Sequence, residues 1–339
     1  MPNARITPDA NVQRQFAAAN ALQRGEKARG RLGFVLDCGG VLFCALVWGT
    51  WAVAAQMSVR MMSVEVAGFW SRTFALIVLL LVTFWRGEAR MLCNPGPVVK
   101  WAILIGVMAF AMNAAQLYGL RMPHASAANF SVIVKTDVLF TLLAARLFLK
   151  ERMFRLDYAG VAIMALGVGS VILQDIRRYE LAVVSDLLFL FAALALTFNA
   201  FVIKSKLQVL SNRVVAGYNC LMTFLGFLTL LPLTGKWGAA MAELGNLKHM
   251  AFLAGLGVLI AGVYLSYYHV LNRLPLWLVR VLLLFTPLFT MLLDSLIQRT
   301  KITAPQVVGA CLLIAGACVI IIGHDRRTRF MVIESEMDS

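Results

Sequence analysis

The run NFSVIVKTDVLFTLLAARLFLKER, Asn129 to Arg152, is apolar enough to cross a membrane as a helix, yet Lys135 and Asp137 stand near its centre. At 1.5 Å per residue the middle of such a segment lies ~15 Å from either interface. A lysine stem reaches about 6 Å, too short to carry the ammonium back to water. A charge at that depth costs several kcal/mol unless it meets a partner or a wet cavity. Residues two apart on a continuous helix point nearly opposite ways, so the pair does not satisfy itself locally. Lys135 shares its face with Ser131 and Leu139, and Asp137 with Thr141. The two charges are therefore expected to look toward different neighbours.

The rest of the chain repeats the apolar theme. Of its 339 residues 60% are hydrophobic and 14% charged, with mean hydropathy +0.79, well beyond an ordinary soluble domain. The apolar residues fall in blocks long enough to span ~30 Å of hydrocarbon, about ten of them. They lie at roughly 33–56, 66–85, 98–120, 125–148, 156–174, 183–203, 212–233, 249–271, 276–297 and 304–323. The fold class is an all-α polytopic membrane protein of about ten transmembrane helices. A membrane barrel would show alternation over segments of about ten residues instead. Ala52-Val53-Ala54 imitates a cleavage site, but the preceding block is too long for a signal peptide, so the first helix is expected to stay. Cys38, Cys44, Cys93, Cys220, Cys311 and Cys318 are scattered without a CxxC or a Cys/His cluster. Neither a metal, a disulfide framework nor any other cofactor is expected.

The net charge is +14. With the amino terminus cytoplasmic and each span reversing the side, about 20 basic residues fall in cytoplasmic segments and about 8 opposite. Arg72, Lys135 and Arg280 remain within spans. Both termini are expected in the cytoplasm, and the basic charge needs no nucleic-acid partner. Val12, Phe16 and Ala19 share a helical face in the leading tail, which either lies on anionic lipid or is disordered.

Sliding the chain against itself by about 150 residues brings Tyr118 onto Tyr268, Thr136 onto Thr286 and Leu139 onto Phe289. Past one dropped residue, Gly160 meets Gly309 and Gly167 meets Gly316. The expected organisation is a basic tail (1–31), a first five-helix repeat (32–174), a second (182–323) and a cytoplasmic tail (324–339). An odd number of spans per repeat makes the second copy enter from the opposite side. Inverted repeats of this kind hold a binding site near the midplane, around a cavity that opens alternately to each side.

With these pieces in place the chain resembles the drug/metabolite transporter superfamily, in its EamA-type branch. The likeness rests on VWGTWAV (Val47 to Val53), on Arg72 in GFWSRTFAL, and on HASAANFSVIVKTDVLFTLLAARLFLKER followed by DYAGVAIMALGVGSVIL. LLFTPLFTMLL and QVVGACLLIAGACVII repeat the pattern in the second half. Two departures stand out: Arg299-Thr300-Lys301 replaces a Glu-Arg-type exit, and Lys135-Thr136-Asp137 stands where many members have a proline, as Pro287 is here. The resemblance implies a secondary transporter in the inner membrane, moving a small metabolite through a cavity shared by two halves. Its partners would be that solute, membrane lipid and, optionally, a second copy in a homodimer.

Candidate binding residues follow. Lys135 suits an anionic group, and Asp137 suits a coupling proton or a substrate amine; the plainer alternative is a buried interhelix ion pair. Arg72 and Arg280 sit about one turn inside their spans, either binding or anchoring at the interface. Asp37, Asp186 and Asp294 stand near span ends, solvated or paired. Asn113, Gln116 and Asn199 either line the cavity or bond a neighbouring helix. Trp48, Tyr267 and Tyr268 could wall it, and Trp70 fits an interface belt. No HExxH helix, GxSxG elbow or phosphate-binding glycine loop occurs, which argues against an enzyme. The favoured activity is proton-coupled export of an amino acid or amphipathic metabolite. The alternatives are exchange of phosphorylated or nucleotide-linked solutes, or a non-transporting accessory subunit.

Overall fold

The computed structural model describes residues 31–88, 92, 96–148, 155–178, 182–207, 210–271, 279 and 282–337. All regular structure among them is helical. The first half comprises α1 (Arg31–Met61), α2 (Val64–Trp85), α3 (Val99–Arg121), α4 (Ala127–Val134), α5 (Thr136–Phe148) and α6 (Arg155–Arg178). The second comprises α7 (Ala182–Lys206), α8 (Asn212–Leu233), the short α9 (Trp237–Ala242), α10 (Leu247–Leu271), α11 (Thr286–Gln298) and α12 (Ala304–Met337). Among the described residues seven helices are long and apolar enough to cross a membrane, and the apolar stretches Leu283–Gln298 and Ala304–Ile320 are shorter. Leu81, Leu166, Leu187 and Leu296 are exposed on their outer surfaces, as a lipid-facing sheath requires. The face where α1 begins is called proximal below and the opposite face distal.

The fourth expected span is not one helix. Ser126 Oγ caps α4 by accepting the Asn129 N–H at 3.0 Å, and α4 ends at Val134. There the Lys135 N–H bonds the Val132 carbonyl and the Val138 N–H bonds the Lys135 carbonyl, both three residues back. That is a tight 3₁₀-like turn rather than α geometry. The Thr136 hydroxyl donates to the Ile133 carbonyl across the break. The second half does the same at the aligned position. A 3₁₀ turn, Leu283–Phe285, precedes α11, and the Thr286 hydroxyl donates to the Leu283 carbonyl at 2.6 Å. Pro287, in the first turn of α11, lacks the N–H that a continuous helix would need there.

The halves meet through reciprocal glycine contacts. A Cβ on Gly160 would lie 2.5 Å from the Gly316 carbonyl oxygen, and one on Gly316 2.6 Å from that of Gly160. Gly167 and Gly309 meet in the same mutual way, at 2.8 Å each. Because 160 meets 316 and 167 meets 309, α6 and α12 run antiparallel with backbones touching. Gly106 of α3 lies under Met222 of α8, and Gly257 of α10 lies under Phe74 of α2. In each of these crossed pairs a glycine of one half receives a side chain of the other. At the proximal face Glu88, beyond α2, accepts from Ser211 Oγ at 2.7 Å and Arg213 Nε at 3.0 Å, and also from Arg213 Nη2. The Arg213 guanidinium holds the Glu88 carboxyl below its ordinary range.

Gly160→Ala is expected to destabilise the purified protein by about 1–3 kcal/mol, since a backbone carbonyl must move. Gly169→Ala, with nothing within 4 Å of its added Cβ, should leave the thermal midpoint in detergent unchanged. The depressed Glu88 carboxyl contributes stability above its unfolded-state value, and this is lost as pH falls through the folded value. Glu88→Gln should therefore cost under about 1 kcal/mol at neutral pH and nothing in strong acid, read by thermal unfolding across pH.

Candidate functional site

The break after α4 brings both charges to one place. Lys135 and Asp137 line a single pocket with Trp48, Val138, Leu196, Tyr267 and Leu283. The expectation that they face different neighbours presumed a continuous helix; the tight turn winds about 120° per residue instead of about 100°, and both side chains line the pocket. Trp48 and Val138 come from the first half, and Leu196, Tyr267 and Leu283 from the second, so the pocket lies at the junction. Its cavity volume is about 10 Å³, close to the room that one water needs, so the pocket is nearly filled by its own side chains.

Lys135 is 6% exposed and Asp137 3%. The Lys135 ammonium lies 4.8 Å from the Trp48 ring centroid, a cation–π geometry whose value rises when water is excluded. Trp48 is held in turn by Tyr267, edge-on with ring centroids 5.8 Å apart at 77°. The neighbouring Gly49 lets α1 approach α11, where an added Cβ would stand 3.1 Å from the Thr290 nitrogen. Thr197 Oγ1 of α7 donates to the Asp137 carbonyl at 3.0 Å, tying the start of α5 to the second half.

Other candidates lie apart from this pocket. Because α2 begins at Val64, Arg72 stands about two turns in rather than one, and it is buried. It does not reach an interface: Nη2 donates to Asn113 Oδ1 of α3, while Asn113 Nδ2 donates to the Ala109 carbonyl at 2.7 Å. Tyr264 of α10 and Cys220 of α8 stand beside the Arg72 guanidinium. Gln116 and Asn199 are buried on α3 and α7, and Asn199 Oδ1 has no hydrogen-bond partner among the described residues. Asp186 and Asp294 are each 1% exposed rather than solvated, and Asp294 Oδ1 accepts from Gln298 Nε2 at 2.7 Å. Trp70 Nε1 donates to the Ala240 carbonyl at 2.9 Å. Arg280, the leading tail and the side chain of Tyr268 lie outside the described residues. Leu196, Val138 and Leu283 were missed as pocket residues, since an aliphatic side chain in an apolar helix carries no distinguishing signal. Among the described residues no group of three or more His, Cys, Asp or Glu could hold a metal ion.

Apolar helices in two halves around a charged pocket, with leucines exposed on their outer surfaces, define a polytopic all-α membrane protein. Residues 38–173 and 183–322 each match the EamA-like transporter family, and the chain belongs to that family. It is 26% identical over 279 residues, 79% of this chain and 88% of the relative, to a protein of Bacillus subtilis (strain 168) described as "Uncharacterized transporter YojE". A solved structure described only as "Crystal structure of protein" superposes with a TM-score of 0.61 at 20% identity, covering 84% of this chain and 97% of that one. At that identity the likeness speaks for the fold alone.

The Arg72–Asn113 bond joins α2 and α3 through a charged donor in a buried setting, so a double-mutant cycle of Arg72→Met and Asn113→Leu should return a coupling of about 1.5–3 kcal/mol. Thermal or denaturant unfolding in detergent measures it, and coupling near zero would contradict the bond.

Proposed function

We propose that the chain is a secondary active transporter that moves a small metabolite across the inner membrane by alternating access, with the Lys135 pocket as its solute site. The supporting observation is one ammonium, one carboxyl and two aromatic faces gathered where the halves meet. A solute carrying both charge signs would find complementary groups there: its carboxylate at Lys135, its amine at Asp137 and its apolar part against Trp48 and Tyr267. Export driven by proton exchange fits a carboxyl that changes charge as access alternates. Both termini are placed in the cytoplasm on the distribution of basic residues. Arg72, Asn113, Gln116, Asn199, Arg280 and Tyr268 remain candidates for contacts made elsewhere in the cycle.

Exchange of phosphorylated solutes is the second reading, favoured by the midplane ammonium. Counterflow of labelled amino acids and of sugar phosphates in proteoliposomes separates the two. Lys135→Ala should reduce transport of any anionic or zwitterionic solute at least about tenfold, the scale of one lost charge-assisted contact. Asp137→Asn should flatten the dependence of transport on the proton gradient. Unchanged pH dependence in that variant removes the coupling role. Absence of counterflow for every solute class removes the transport reading.

A further inference from the structure

Along α1 the residues Trp48, Trp51, Gln56 and Arg60 stand at successive heights toward the distal face, with Gln56 ~12 Å beyond Trp48. Above the pocket, Trp51 meets Phe130 and Phe130 meets Phe189, both edge-on at 5.9 and 5.1 Å. Beyond these rings lies a connected set of amides. Fully buried Gln56 donates through Nε2 to the Ala125 carbonyl at 2.7 Å. Its Oε1 accepts from the Ala127 N–H at 3.1 Å and from Gln298 Nε2 at 2.9 Å. Gln298 Oε1 accepts from Arg60 Nη1 at 2.9 Å. Gln306 Nε2 donates to Asn129 Oδ1 at 2.6 Å, while its own oxygen accepts the Thr303 N–H at 2.9 Å.

Gln56, Arg60 and Asn129 belong to the first half, and Gln298 and Gln306 to the second. Three side-chain bonds therefore cross between the halves here: Gln298 to Gln56, Arg60 to Gln298, and Gln306 to Asn129. In the repeat register Gln56 aligns with Lys206 and, past the dropped residue, Gln306 with Asp157, so no amide recurs at those two positions. Asn129, Asp294 and Gln298 align with Val279, Ala144 and Phe148, which have no side-chain hydrogen-bonding groups. At the proximal face the halves are joined instead by Glu88 with Ser211 and Arg213, so among the described residues the two faces are held by different chemistry.

We infer that the Gln56–Gln298–Arg60 and Asn129–Gln306 bonds form a latch that holds the distal entrance shut in the solute-free protein. This rests on the reading of the Lys135 pocket as a site reached from one face at a time. Removing Gln298 deletes two of the three crossing bonds, and each net bond of this kind shifts a two-state population about fivefold.

The test uses the full chain with its six native cysteines replaced and Val138→Cys in the pocket as reporter, in oriented vesicles. Adding Gln298→Ala should raise labelling by a membrane-impermeant thiol reagent from the distal side at least about fivefold and lower it from the proximal side. A separate Gln56→Cys/Gln298→Cys pair, in the same background without the reporter, should cross-link in the absence of solute. It should then stop counterflow until reduced, which keeps the idea testable if Gln298→Ala fails to fold. Equal labelling from the distal side with and without Gln298, or full counterflow by the cross-linked protein, would overturn the latch. Labelling needs no transported solute, so a labelling shift without counterflow condemns the transport reading alone. Normal counterflow without a shift condemns the latch alone.

Discussion

A charge in hydrocarbon must be matched from within the protein, and the interrupted fourth span does so by exposing two helix ends to each other. Lys135 is the C-cap of α4, and Asp137 lies in the first turn of α5. Peptide dipoles leave partial negative charge at a helix C-terminus and partial positive charge at an N-terminus. The cation and the anion each sit at the end that favours them. The Trp48 face then supplies what the backbone cannot, a polarisable surface against the ammonium. Had the helix continued unbroken, both side chains would have been turned to different neighbours and neither terminus would exist.

The same interruption explains how two repeats with different chemistry share one architecture. Thr136 and Thr286 bond back to the carbonyl three residues earlier in each half, and regular α-helix starts afresh from that threonine. In the second half the next residue is Pro287, and in the first it is Asp137. A proline fixes a break by its missing N–H; a carboxylate at the same place is favoured by the new N-terminus. The backbone solution is common to both halves, while the charge is confined to one. The pocket is accordingly ionic on the side given by the first half and aromatic or aliphatic on the other.

Much of this was legible in the sequence, and the limits have physical causes. The apolar blocks mark the helices because length and hydropathy are sufficient to identify a span. The glycines at 160, 167, 309 and 316 were visible as aligned equivalents, but equivalence does not say that 160 touches 316 rather than 309. That follows only from the antiparallel crossing. The break at Lys135 was hidden because Lys-Thr-Asp contains no strong helix breaker; its signal lay 150 residues away, in Pro287. Arg72 was placed too shallow: it lies about two turns into its helix and bonds Asn113 there. Tyr267 and Tyr268 could not be ranked, since neighbours differ by about 100° around the axis and the rotation of α10 is fixed by packing.

The backbone contact between α6 and α12 has a consequence for how the protein can change over generations. At Gly68, Gly119 and Gly226 a larger side chain can be accommodated by trimming its neighbour, because the atoms it would meet belong to a phenylalanine ring. At the four glycines of the α6–α12 contact the obstacle is a main-chain oxygen, which no substitution can shorten. No compensating exchange nearby relieves a methyl group there; whole helices would have to separate. Sequence drift at the seam is therefore barred by geometry, in a way that the side chains around Lys135 are not.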